Sequence, residues 1–170
     1  MKKRILSLSL AVMMLLVGAA PALANEGDGE KTYTIPITLT IVHMNEHIDV
    51  TLPAAMPISV LDGRVLVADN LRIENHSETL AVSVTGVTVQ SGSYEVMSYE
   101  EFPSSGKDLI ALQINGIGTT GAGPMEINHT AFPSIAQKGS MPIRYNAKVL
   151  ATSEVSGESV ANVVFILKAG

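Results

Sequence analysis

The sequence predicts an all-β protein, a β-sandwich of Greek-key or jelly-roll type preceded by a cleaved signal peptide. Three observations carry that expectation. Apolar and polar residues alternate with a period of two in one segment after another. No segment longer than about ten residues shows the apolar stripe of an amphipathic helix. Ser, Thr, Gly and Val are abundant throughout, as short strands joined by tight turns require.

The chain opens with the three parts of an export signal. Lys2, Lys3 and Arg4 are cationic, Ile5 to Gly18 are apolar, and Pro21 and Ala22-Leu23-Ala24 supply small residues for cleavage after Ala24. A retained anchor needs roughly 20 apolar residues to cross the hydrocarbon, and this run is shorter and interrupted by Ser7 and Ser9. Loss of 24 residues from 170 leaves 146, the size of one domain. Residues 25–31, NEGDGEK, have nothing to bury and are expected to form a flexible acidic spacer. Residues 32–170 then form a single β-sandwich domain.

From Tyr33 the side chains alternate, with Tyr33, Ile35, Ile37, Leu39 and Ile41 on one face and Thr34, Pro36, Thr38 and Thr40 on the other. Pro36 places this long strand at a sheet edge, because proline has no N–H for a ladder. A second strand is expected at Ile48, Val50 and Leu52, a third from Ile58 to Val60 before the Asp62-Gly63 turn, and others at Arg64 to Val67 and Asn70 to Glu74. Between Leu80 and Gln90 the apolar parity changes from Leu80, Val82 and Val84 to Val87 and Val89, the mark of a β-bulge near Gly86. Later strands are expected at Tyr94 to Ser98, Asp108 to Ile114, Met125 to Asn128, Pro142 to Leu150 and Ser159 to Lys168. In the last of these both alternating sets are apolar, which predicts cover on both faces.

Composition excludes several chemistries. The leader holds three of the 11 basic residues and none of the 16 acidic ones, so the mature charge is about −8. Nucleic acid is an unsuitable partner for such a surface, and no integral membrane segment is expected in the mature protein. Cysteine is absent, which removes disulfides, thiolate metal sites, thiol nucleophiles and a lipoprotein anchor together.

Two motifs match catalytic patterns in letters only. His43-Met44-Asn45-Glu46-His47 spells the HxxEH of zinc proteases, whose mechanics need a helix to bring both imidazoles to one face. Here the five residues fall between two strands and read as a hairpin loop. Gly116-Ile117-Gly118-Thr119-Thr120-Gly121 spells GxGxxG, but Gly123-Pro124 stands where the phosphate-binding helix would start. It reads as a glycine-rich loop between strands. Asn75-His76-Ser77 and Asn128-His129-Thr130 match the N-glycosylation pattern and are read as turns. No GxSxG elbow and no DxDxDG loop is present. No catalytic residue, cofactor or metal is therefore expected. The one candidate binding patch is Tyr94, Tyr99 and Phe102 in the stretch SYEVMSYEEF.

Ala68-Asp69-Asn70-Leu71-Arg72-Ile73-Glu74-Asn75 followed by Val87, and Met141-Pro142-Ile143-Arg144-Tyr145-Asn146-Ala147-Lys148 through Val160-Ala161-Asn162-Val163-Val164-Phe165, carry a resemblance. They resemble small exported β-sandwich proteins of Gram-positive Firmicutes, with a phrase like ADNVKIxNxS and a tail like YxAKxxAxS...VANVVFTxxW. The likeness covers most of residues 50 to 168 and implies a surface or matrix location without any activity to carry over. This chain departs in ending Ile166-Leu167-Lys168-Ala169-Gly170 where such tails often close on Gly-Trp, and it has no LPxTG sortase signal.

These features predict a noncatalytic secreted or loosely wall-associated structural protein. Its partners would be itself or other surface proteins, with assembly through the N-terminal edge strand. The competing expectation is an extracellular module binding a glycan or peptide through Tyr94, Tyr99 and Phe102.

Overall fold

The computed structural model describes residues 32–35, 37–43, 48–61, 63–151 and 159–170. The leader, the spacer and the core of the HxxEH motif lie outside them. Among the described residues there is no helix, and the protein is all-β with a sandwich-like arrangement of several sheets.

The strands in chain order are β1 (Thr32–Ile35), β2 (Ile37–His43), β3 (Val50–Thr51), β4 (Ile58–Leu61), β5 (Arg64–Val67), β6 (Arg72–Asn75) and β7 (Val82–Ser91). They continue as β8 (Glu95–Val96), β9 (Leu109–Ile114), β10 (Ile117–Gly118), β11 (Gly123–Met125), β12 (Ser140–Pro142), β13 (Tyr145–Leu150) and β14 (Ala161–Ala169). The principal sheet runs β11-β7-β14-β2, and a second runs β10-β9-β13 with β8 also on β9. Two smaller sheets run β1-β4-β5 and β12-β6-β3. Side chains from all four sheets meet in one core that includes Ile37, Ile58, Ile73, Val84, Val87, Val89, Ile110, Leu112, Tyr145 and Phe165. Phe132 and Phe165 meet edge to face within it, ring centroids 6.5 Å apart.

The parity change in β7 is a bulge. Opposite β14, Ile166 pairs with Gly86 and Leu167 with Val84, so Thr85 is the extra residue. Val82 and Val84 on one side of it and Val87 and Val89 on the other are therefore all buried on the same face.

Two segments that alternate without a break in sequence each divide between sheets. The apolar stretch from Tyr33 to Ile41 becomes β1, paired with β4, and β2, paired with β14. Residues 142–150 likewise divide between β12, paired with β6, and β13, paired with β9. A period of two records which face is buried and carries no information about the partner, so a strand that changes sheets keeps its pattern. One expectation is corrected at β14. Ala161, Val163, Phe165 and Leu167 are fully buried, whereas Val164 and Ile166 are only half-buried, so this strand is covered completely on one face.

Candidate functional site

The N-terminal arm, β1 and β2, carries the most unusual geometry. Ile37 is fully buried and Leu39 packs partly against the core, while Thr38 and Thr40 are exposed. Strand β2 lies parallel to β14, with Ile37 opposite Ala161 and His43 opposite Leu167. These two strands come from opposite ends of the chain. At the start of the pairing, the Thr38 N–H donates to Ser159 Oγ at 3.1 Å, and that hydroxyl donates to the Ala161 carbonyl at 2.7 Å. The Met56 N–H donates to the Ile37 carbonyl at 3.1 Å, and Thr38 makes an isolated bridge to Ala55. Beyond Thr38, the outer edge of β2 has no strand partner among the described residues. β1 is likewise an edge strand, paired with β4 and with no other strand among the described residues. The arm thus closes one edge of each of two sheets.

The aromatic stretch has a different construction. Tyr94 is 3 % exposed and belongs to the core, where burial and then the charge of Asp108 push its phenol above the ordinary range. Tyr99 is half-buried under the Lys148 ammonium, which sits 4.4 Å from the ring centroid and donates to the Tyr99 carbonyl at 2.6 Å. Gly118 also lies against Tyr99, so close that a Cβ there would stand 2.8 Å from the tyrosine Cβ. Phe102 is half-buried. The three residues therefore do not present a shared row of open rings. Tyr94 belongs to the core, and Tyr99 is contacted by Lys148 and packed close to Gly118.

Comparison with protein-family models, with curated proteins and with solved structures finds no match to this chain. Function must then be argued from its own residues.

Most of the motif residues hold the fold. In GxGxxG, Asn115 and Gly116 both have positive φ, 48° and 84°, and form the two-residue turn of a hairpin in which Ile114 pairs with Ile117. Thr119 is buried; its hydroxyl donates to the Met97 carbonyl at 2.7 Å and accepts from the Leu112 N–H at 3.2 Å. Strand β11 follows this loop, including Pro124, where a nucleotide site would need a helix.

Asn75, at the end of the ADNLRIEN phrase, is 1 % exposed. Its amide donates to the carbonyls of Leu80 (2.9 Å), Ala136 (3.0 Å) and Ile135 (3.2 Å), and its Oδ1 accepts from the Ser77 N–H at 3.0 Å. A side chain so engaged is closed to glycosylation in the folded state. Tyr145, in the RYNAK phrase, reaches across to the first phrase: its phenol oxygen accepts from the Ala68 N–H at 3.1 Å and donates to the Pro57 carbonyl. The two stretches that carry the resemblance are thus joined by a buried hydrogen-bonded tyrosine. Neither residue stands out in sequence, because a polar side chain next to a turn reads as solvated.

Only His76 and His129 have described side chains. His43 ends β2, and His47 lies outside the described residues. His76 shares a hydrogen bond of 2.8 Å with the Thr51 hydroxyl and stands 3.9 Å from Glu74, and His129 is exposed. Among the described residues no group of three or more His, Asp or Glu could hold a metal ion.

Two surface grooves stand out among the described residues. One, of about 450 Å³, is lined by Asn115, Thr130, Pro133, Met141, Pro142 and Arg144. The Asn115 side chain there is already bonded to Ala131, Pro142 and Arg144 backbone groups. The other, of about 520 Å³, is lined by Glu74, His76, Glu78, Lys138 and Ser140, with Lys138 paired to Glu78 at 2.8 Å. In the second groove Ser140 lies directly across the ladder from Glu74, which stands 3.9 Å from His76. Among the described residues no helix is long and apolar enough to cross a membrane.

Proposed function

We propose that this chain is a noncatalytic structural protein of the bacterial cell surface or extracellular matrix, exported by its leader and assembling through its N-terminal strand. The observation that carries this reading is β2, a seven-residue edge strand whose outer side beyond Thr38 has no strand partner among the described residues. An unpaired ladder of N–H and C=O groups is a template for another chain. Proteins that stay monomeric blunt such edges with lysine, inward charges or very short strands. Strand β2, ITLTIVH, contains no lysine, arginine or carboxylate. The leader and the resemblance to exported Firmicutes sandwiches support the same reading.

Light scattering after size exclusion, with negative-stain microscopy, on residues 25–170 over a range of concentrations tests it. Oligomers or fibres are expected, and they should disappear when residues 25–42 are deleted. Fibres that persist after the deletion, or a monomer at every concentration, would overturn the proposal.

A further inference from the structure

We infer that assembly proceeds by exchange of the N-terminal arm between copies. β1 and β2 of one molecule leave their own sheets and take the same places beside β4 and β14 of a second copy of this chain. This inference rests on the assembly proposed above and specifies its partner and its geometry.

The groove along β14 has a demonstrated occupant. It accepts Ile37–His43 in parallel register, buries Ile37 completely and offers Ser159 Oγ to the Thr38 N–H. Every other copy carries the same strand, so no new complementarity has to arise.

The arm is also separable from the rest of the molecule. Among the described residues its ladder pairings are to β4 and β14, plus the Thr38–Ala55 bridge. Its covalent tie to the body is the stretch between His43 and Val50. Residues paired across β2 and β14 are more than a hundred positions apart, so no tight hairpin holds them in one molecule. The arm fastens two sheets at once, β1 to one and β2 to the other, so a single exchange makes two ladders intermolecular.

Contacts in the closed and exchanged forms are the same. The balance between them is set by the effective concentration of the arm for its own groove, of order mM for a short tether. Domain swapping needs little energy for this reason. Crowding of secreted copies at a surface would push the balance toward exchange. So would salt, by screening the repulsion between copies that each carry about −8 after loss of the leader.

The cysteine-free chain gives a direct test. Thr40 is exposed on β2 and sits opposite the half-buried Val164 of β14. The full chain is prepared as Thr40→Cys, as Val164→Cys with a mass tag, and as the double variant. In the double variant at low concentration an intramolecular disulfide is expected, and its absence would overturn the register itself. The two single variants are mixed and oxidised at concentrations from about 10 µM to about 1 mM, bracketing the effective concentration of the arm. A Thr40–Val164 heterodimer that rises at least about tenfold over that range, and exceeds both homodimers, is expected. Oligomers by light scattering with no heterodimer would overturn exchange and leave edge-to-edge assembly standing. A monomer at every concentration would overturn both.

Discussion

Asn75→Ala is expected to destabilise the protein severely, although Asn75 lies in a sequence that reads as a solvated turn. Four backbone groups meet its side chain, but they do not depend on it equally. The Ile135 carbonyl also accepts from the Val82 N–H at 2.9 Å, and the Ala136 carbonyl from the Gly139 N–H at 3.0 Å. The Leu80 carbonyl and the Ser77 N–H have Asn75 as their partner. Alanine therefore orphans one part-buried acceptor and one buried donor, each at about 1–3 kcal/mol, for a loss of roughly 2–6 kcal/mol. Domains of this size have about 5–15 kcal/mol in total. Urea denaturation followed by circular dichroism on residues 25–170 should show a midpoint lowered by roughly 1–3 M at unchanged slope, for a slope near 2 kcal/mol per M. Asn75→Asp should be worse than alanine. It keeps the acceptor for Ser77 but points a carboxylate at three carbonyls. An alanine variant within about 0.5 kcal/mol of the parent, the range of ordinary surface substitutions, or an aspartate variant more stable than alanine, would refute this account of the buried amide.

Tyr145→Phe should cost about 1–3 kcal/mol in the same assay, because the Ala68 N–H and the Pro57 carbonyl lose the phenol oxygen. Burial raises the Tyr145 phenol above its ordinary value of 10.0 against the opposing pull of the Ala68 bond, and Tyr94 is raised as well. A raised acid holds its proton longer when folded, so stability is level below the unfolded value and falls as pH climbs from there toward the folded one. Urea midpoints should therefore stay level up to about pH 10 and drop above it, less steeply in Tyr145→Phe, and an equal drop in both proteins would count against the assignment. Gly92→Ala places a Cβ 2.4 Å from the Ser159 carbonyl oxygen, a backbone atom that cannot swing aside. A loss of about 3 kcal/mol or more is expected, and a neutral result would mean that the two segments are not in contact. Deleting Thr85 should be tolerated at about 1 kcal/mol, since it removes the bulge and one hydroxyl bond to Ile166 while leaving the valines in phase. Inserting one alanine after Thr88 should cost more than about 2 kcal/mol by turning Val89 outward, and equal effects of the two changes would contradict the bulge.

Much of the fold is legible in the sequence wherever one face is buried. The alternation at Arg64–Val67 marks a strand with the observed bounds, and the parity change places the bulge within a residue. Sheet membership is not legible, because Tyr33–Ile41 and Pro142–Leu150 each keep one rhythm while passing between sheets. Asn115-Gly116 between Ile114 and Ile117 is the dipeptide that favours positive φ at both turn positions, and it marks the hairpin more strongly than GxGxxG marks a loop. Tyr94 was grouped with Tyr99 and Phe102 by proximity along the chain, although its parity with Val96 is that of a core face. The edge position of the N-terminal arm could be read from Pro36 and the apolar rhythm. Its partner β14 could not, because nothing local links residues so far apart.

The parallel alignment of β2 and β14 also decides how the molecule bears load. A tension that enters at Ile37 and leaves at Ala169 runs along both strands in the same direction, and the evenly spaced bonds of a parallel ladder lie across that pull. The rungs are loaded together in shear, where a hairpin pulled from its open end would unzip them singly. A chain without a cysteine to cross-link it can in this way resist stretching through hydrogen bonds alone. In a series of exchanged copies the same shear-loaded ladder would be the joint between one subunit and the next.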